Sequence, residues 1–123
     1  MTGHRNDDGL DIVHHIVHHI ALVEDWETAL ADGVYTFSTR GAALANVGFI
    51  HCARAEQIVG VLNRYYSDLD EVIVLDLDLD GLDLRDEPVE VAGVIEHYPH
   101  LYGPLPLSRV TAATKWQKNA SLW

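Results

Sequence analysis

Leucines and aspartates alternate along one segment of the chain. Between residues 71 and 80, Leu75, Leu77 and Leu79 are each followed by an aspartate. A period of two places alternate side chains on opposite faces of a strand, so the leucines can be buried while the carboxylates stay in water. The pattern predicts a strand over Glu71 to Asp80 with one buried face.

Two other segments repeat their apolar residues at helical spacing. The first covers residues 22–32, where Val23, Trp26 and Leu30 recur and a glycine follows directly as a stop signal. The second covers about Arg54 to Tyr66. We therefore expect two main helices, and the apolar side of the second consists of Ile58, Val61, Leu62 and Tyr65.

The first apolar stretch, Ile12 to Ile20, is compatible with two structures. Its apolar residues recur at helical spacing, yet all of them are β-branched, which favours a strand. In a helix His14 stacks on His18 and His15 on His19, a spacing suited to zinc. In a strand the same histidines divide between two faces. The pattern alone leaves both structures open.

The remaining segments predict short strands and one stiff loop. Strands are expected at Gly48 to Cys52, at Val89 to Ile95 and at Val110 to Trp116. Between Tyr98 and Leu107, three prolines stiffen a predicted loop. Together the elements indicate one α+β domain.

Length and charge narrow the classes of function. The 123 residues suit one domain over residues 12–123, preceded by a polar stretch, residues 1–11, that we expect to be a flexible arm. Eight Lys and Arg against nineteen Asp and Glu give a net charge of −11. This field repels a phosphate backbone and an anionic membrane surface. Nucleic acids and membranes are therefore not expected partners.

The cysteine content and the start of the chain indicate a cytoplasmic protein. The single Cys52 cannot form an intramolecular disulfide. The first residues lack the charged-then-apolar layout of a secretory signal.

The segment from Asp76 to Glu87 matches the calcium-loop pattern of an EF-hand position by position. An EF-hand needs a helix on each side, whereas a strand is predicted before this segment and Pro88 follows it directly. The solvated face of an acidic strand accounts for the same aspartates. The histidine pairs lack further zinc ligands, so no metal site is expected.

A set of polar residues at strand ends and in the proline-rich loop forms the candidate site. The sequence contains no G-x-S-x-G nucleophile elbow of hydrolases, no P-loop and no dinucleotide-binding glycine pattern. His51 and Cys52 are neighbours in a predicted strand, so they point to opposite faces, and with His51 at a cleft Cys52 faces the core. Polar donors with a titratable imidazole suit a nucleotide or a sugar. The candidates are His19, Tyr35, Arg40, His51, Glu87, His100 and Tyr102.

Several blocks read together resemble one protein family, over Val17 to Lys115. The blocks are His19-Ile20 with Trp26 seven residues after the histidine, Gly33-x-Tyr35, Gly48 to Cys52, Gln57 with Asn63-Arg64, and Tyr98 to Leu105. With these blocks the chain is similar to the uncharacterised bacterial family known as domain of unknown function 952. In that family the first histidine lies on an opening strand, which implies a strand at the end of the first apolar stretch.

This family is similar in fold to the ADP-ribosyltransferases, which bind NAD in a cleft between two small sheets. The resemblance implies a small, mostly antiparallel split sheet and NAD as the candidate cofactor. Asp86 stands where family members commonly have Trp, and Ala53 where they often have Ser. The implied roles are a ribose contact for His19, ring stacking for Tyr35, phosphate pairing for Arg40, catalysis for His51 and Glu87, and ligand contacts for His100 and Tyr102.

Two hypotheses of function follow. In the first, the cleft binds a nucleotide or related small molecule, and ADP-ribosyl transfer is the candidate reaction. That reaction passes through a cationic transition state, so Glu87 has to point inward. In the second, the domain is a noncatalytic ligand-binding or protein-interaction module on the same fold. The first hypothesis requires the side chains of His19, His51 and His100 to lie at one shared cleft, and the second does not.

Overall fold

Three α-helices and eleven strands lie in the part of the chain that the structure describes. The computed structural model describes residues 17–40 and 42–118. The helices are α1 (Val23–Asp32), α2 (Leu44–Val47) and α3 (Ile58–Tyr65). The strands are β1 (Val17–Ala21), β2 (Val34–Tyr35), β3 (Phe37–Thr39), β4 (Ala42–Ala43), β5 (Ile50–His51), β6 (Ala53–Arg54), β7 (Glu71–Leu77), β8 (Leu84–Val91), β9 (Val94–Leu101), β10 (Leu105–Pro106) and β11 (Val110–Gln117).

The strands form four sheets. The largest has the order β11-β7-β1-β6, and a three-stranded sheet has the order β5-β9-β8. Two smaller sheets pair β10 with β2 and β3 with β4. Every pair within the described residues is antiparallel. The expected α+β class with mostly antiparallel sheets is confirmed.

Strand β7 lies at the centre of the largest sheet and is buried on both faces. Ile73, Leu75 and Leu77 belong to a core cluster that includes Ala29 of α1. Val72 and Val74, which alternate with Ile73 and Leu75, belong to a second cluster with the buried residues of α3. Because alternate residues of a strand face opposite sides, α1 and α3 cover opposite faces of this sheet.

Most predicted elements are present. Helix α1, strand β11 and the alternation around Leu75 and Leu77 are confirmed. Strand β7 ends at Leu77 rather than at Asp80, and its first half has no solvated face. The opening segment is a strand from Val17 onward. Residues 1–16, with the predicted arm, His14 and His15, lie outside the described residues.

Two predictions for the second half of the chain are wrong. The expected strand over Val89 to Ile95 is interrupted by a turn at Ala92 and Gly93, which joins β8 to β9 in a hairpin. The expected loop from Tyr98 begins as strand, because Tyr98 to Leu101 complete β9. Pro99 has no N–H to donate in this strand, and its carbonyl accepts a hydrogen bond from the Cys52 amide at 3.0 Å.

The predicted second helix begins later than expected. A 3₁₀ turn over Ala55–Gln57 precedes α3, and Arg54 ends β6. The Gln57 side chain accepts from the Arg54 amide at 2.9 Å and donates to the His97 carbonyl at 2.8 Å. Arg54 donates to Asp86 of β8 at 2.9 Å. These bonds tie the start of α3 to the β8–β9 hairpin.

The hairpin turn contains a residue that is poorly suited to its backbone. Ala92 has φ of 53° and Gly93 has φ of 82°, and a two-residue turn of this kind favours Asn followed by Gly. We expect Ala92→Asn to raise the free energy of unfolding by about 0.5–1 kcal/mol, measured by urea denaturation.

The matched control is Gly93→Ala. A Cβ at Gly93 meets no atom within 4 Å, so any loss of stability reports the backbone conformation alone. Equal stability of the wild type and both variants would contradict the assigned turn.

No helix among the described residues is long and apolar enough to cross a membrane.

Candidate functional site

A cleft of about 440 Å³ opens beside β1. Strand β6 pairs only with Val17 and His18, so the edge of β1 from His19 onward has no strand against it on that side. The volume lies within the range of roughly 300–1,000 Å³ that small-molecule sites occupy. The lining residues are His19, Ile20, Thr39, Arg40, His51, Cys52, Ala53, Val61, Tyr65, Tyr66, Val89, Val91 and Tyr98.

His19 is held on both sides of its ring. Its Nδ1 donates to the backbone carbonyl of His51 at 2.5 Å, and the Tyr35 hydroxyl lies 2.8 Å from its Nε2. A carbonyl can only accept, so Nδ1 carries the proton and Nε2 accepts from Tyr35. Burial lowers the pKa of His19 to about 4. The ring is therefore neutral near pH 7, in one tautomer.

His51 presents its ring at the cleft wall. It lies edge-on to Phe49 and His100, with ring centroids 4.8 Å and 5.1 Å away. Burial, and then the neighbouring charge of His100, lower the pKa of His51 to about 4. No described residue forms a hydrogen bond with this ring. A neutral imidazole offers one donor and one acceptor, so both are available to a ligand.

Behind His51 lies a carboxylate held by two donors. His100 stands directly opposite His51 in the β5–β9 pair. Its Nδ1 donates to Oε1 of Glu87 at 2.8 Å, and the Tyr102 hydroxyl donates to the same oxygen at 2.5 Å. The bond from Tyr102, and to a smaller degree that from His100, lowers the pKa of Glu87. Glu87 is therefore ionised near neutral pH.

The other nitrogen of His100 is buried and has no partner among the described residues. The ring is 4% exposed and stacks on Phe49 at 4.1 Å. Because Nδ1 donates to Glu87, Nε2 is the ring nitrogen of His100 that is left without a partner there.

Arg40 is the one charged side chain among the lining residues. Its two terminal nitrogens donate to the two carboxylate oxygens of Asp68, at 2.5 Å and 3.0 Å. One of them also donates to the Tyr65 carbonyl at 3.1 Å. The cation at the cleft is thus neutralised by an aspartate of the same chain.

Of the seven sequence-predicted site residues, three line the cleft, namely His19, Arg40 and His51. The other four, Tyr35, Glu87, His100 and Tyr102, do not line it, so the expected shared cleft for His19, His51 and His100 is not formed by all three. Tyr35 is 1% exposed and does not line the cleft. It therefore supports His19 and has no open ring face for stacking. His19 lines the cleft, but both of its nitrogens bond within the protein. Six of the seven form one connected line, which runs Tyr35, His19, His51, His100, Glu87 and Tyr102.

Sequence reasoning missed most of the apolar wall. Val89 and Val91 line the cleft from β8, and Tyr65 and Tyr66 line it from the end of α3. The period-two spacing of Glu87, Val89 and Val91 was the available signal, since it places the three on one face. Reading the hairpin as a single short strand hid that signal.

The acidic segment is arranged on strands and not between helices. Asp76 lies in β7 and accepts from His18 at 2.7 Å, and Glu87 lies in β8. Within residues 17–40 and 42–118, no group of three or more His, Cys, Asp or Glu could hold a metal ion.

The neutral state of His19 predicts a loss of stability in acid. Its pKa is about 4 in the folded protein and 6.5 when unperturbed, so between these values only the unfolded chain takes up the proton. The contribution of His19 to the free energy of unfolding is fully present above pH 6.5 and is lost as the pH falls towards 4. We expect a loss of about 3 kcal/mol from this residue.

Urea denaturation between neutral and mildly acidic pH measures this effect. The His19→Gln variant, which cannot titrate there, should show a clearly shallower dependence than the wild type. Equal slopes for the two proteins would contradict a neutral His19.

Known proteins match this chain in sequence and in structure. A family model described as "Protein of unknown function (DUF952)" matches residues 20–113. The crystal structure of protein CC0527 from Caulobacter crescentus is similar, with a TM-score of 0.67 and 26% identity over 81% of this chain and 84% of that chain. The crystal structure of a double-methionine variant of the same protein gives the same values. No curated protein matches.

Proposed function

The chain belongs to the DUF952 family of proteins of unknown function, and from its cleft we propose that it binds a nucleotide, with NAD as the first candidate. The proposal rests on one observation. The neutral His51 ring lies at the wall of a largely apolar cleft, and no described side chain forms a hydrogen bond with it. Small-molecule sites combine apolar walls with a few fixed polar groups in this way.

The lining combines apolar surface with a polar ring, and a nucleotide has parts that suit each of them. Tyr65, Val61 and Val89 provide apolar surface for a planar base or nicotinamide ring. His51 provides a donor and an acceptor for an amide or a hydroxyl. His19 holds the backbone of His51 in place and contributes surface rather than a hydrogen bond.

For the reaction we propose transfer of the ADP-ribosyl type. The bond between nicotinamide and ribose breaks and its electron pair leaves with nicotinamide. A hydroxyl or water oxygen bonds to the ribose carbon and releases its proton to solvent water. Positive charge develops on the ribose, and the ionised Glu87 is the carboxylate that would stabilise it. A neutral His51 adds no opposing charge beside that centre.

One observation favours a noncatalytic module instead. Glu87 is not among the cleft-lining residues, and one of its oxygens already accepts from both His100 and Tyr102. A carboxylate used in this way also stabilises the three-stranded sheet. Binding without turnover is therefore the second candidate function.

Calorimetric titration of the full chain with NAD, in the presence of a chelator, tests the binding step. We expect a single site with a dissociation constant below about 1 mM. No heat of binding at that concentration would contradict the proposed function.

Assay of released nicotinamide then separates the two candidates. Release by the wild type, reduced about a hundredfold or more in Glu87→Gln while NAD binding is kept, supports the enzyme. Binding with no release by the wild type supports the noncatalytic module.

A further inference from the structure

Arg40 reaches the cleft already engaged by a carboxylate of the same chain. The guanidinium forms a two-point fork with Asp68 and lies 5.8 Å from the centre of the Tyr66 ring. Asp68 follows α3 in sequence, so the pair joins the turn after β3 to the end of that helix. Both Arg40 and Tyr66 line the cleft, whereas Asp68 does not.

The fork is the same arrangement by which arginine binds phosphate. A guanidinium has five N–H donors, and the two terminal nitrogens that bind Asp68 cannot bind a phosphate end-on at the same time. A phosphate that uses this fork competes with Asp68, and one that uses the remaining N–H groups meets a cation whose charge Asp68 already offsets. A neutral ligand does not compete with Asp68, because it makes no demand on Arg40.

We propose that Asp68 is a specificity-determining residue: its pairing with Arg40 weakens the binding of phosphate-bearing ligands relative to neutral ligands that share their base and sugar. This inference rests on the proposed function, since it assumes that the cleft takes nucleotides. Asp68, which does not line the cleft, would then set the difference in affinity between neutral and phosphate-bearing ligands.

The size of the effect follows from the strength of the pair. Asp68 is largely exposed, and exposed ion pairs are weak, so Arg40 is released for a substantial fraction of the time. The apparent affinity for a phosphate is the affinity of the released Arg40 multiplied by that fraction. We expect removal of the Asp68 carboxylate to raise the affinity for phosphate-bearing ligands about three- to fivefold.

The test compares adenosine with ADP, which share a base and a sugar and differ in charge. Calorimetric titrations use the wild type, Asp68→Asn, Arg40→Gln and Asp70→Asn. Asp70 is exposed two residues further along, and its substitution makes the same change in net charge without touching the fork. It is the control for long-range electrostatics.

The expected result is a three- to fivefold gain for ADP in Asp68→Asn, a loss for ADP in Arg40→Gln, and unchanged adenosine affinity in both. The inference is overturned if the affinity for ADP rises equally in Asp68→Asn and Asp70→Asn, or if the affinity for adenosine rises as much as that for ADP. Neither result contradicts the proposed binding function. If neither adenosine nor ADP binds to the wild type or to any variant, both the proposed binding function and this inference are overturned.

Discussion

Replacement of His51 by alanine is expected to lower the affinity for NAD about tenfold or more while leaving the melting temperature nearly unchanged. The His51 ring is the polar group that faces the cleft without a bond to a described side chain, so its loss removes ligand contacts. The contact that holds the fold at this position is made by its backbone carbonyl, which accepts from His19. Alanine keeps that carbonyl.

His97→Ala is the matched control for this variant. The His97 side chain is 55% exposed and does not line the cleft, so its removal should leave both binding and melting temperature unchanged. Calorimetric titration and thermal unfolding are measured on all three proteins. A large drop in the melting temperature of His51→Ala would mark the ring as structural and would remove the observation on which the function is proposed.

Replacement of His19 by alanine is expected to have the largest effect on stability. The ring is 2% exposed, and its loss leaves the Tyr35 hydroxyl and the His51 carbonyl without their partner and opens a cavity. Unpaired buried polar groups and lost core volume together cost about 3–5 kcal/mol. A fall of about 10 °C or more in the melting temperature should follow.

His19→Gln provides the corresponding rescue. A glutamine amide can donate to the His51 carbonyl and accept from the Tyr35 hydroxyl, so it should recover part of the loss, as measured by urea denaturation. If alanine and glutamine are equally destabilising, the cost comes from packing alone. If neither is destabilising, the assigned hydrogen bonds are absent.

Elements whose side chains face one partner were predictable from the sequence. Helix α1 has a single apolar side and a glycine stop, and it begins and ends close to the predicted bounds. The hairpin of β8 and β9 was not predictable in the same way. Its turn is Ala92-Gly93 rather than Asn-Gly, and Pro99 within β9 is typical of a loop, so tertiary pairing overrides the local preference.

The candidate site was predictable in its members and not in its connections. His51 and His100 are far apart in sequence and become neighbours only through the β5–β9 register. Tyr35 was expected at the ligand because an aromatic residue suits a ring, but its burial behind His19 depends on how the sheets pack. The engagement of Arg40 by Asp68 depends on the end of α3 meeting the turn after β3, which no local pattern specifies.

The bond from His19 to His51 joins a strand of the four-stranded sheet to a strand of the three-stranded sheet. Local opening that separates these sheets therefore also takes apart the wall of the cleft. A molecule bound there adds its own binding energy to the closed state. Amide hydrogen exchange in β1 and β5 should accordingly slow together on ligand binding, as one cooperative unit, and this pairing of the two strands provides a way to detect a ligand whose chemistry is unknown.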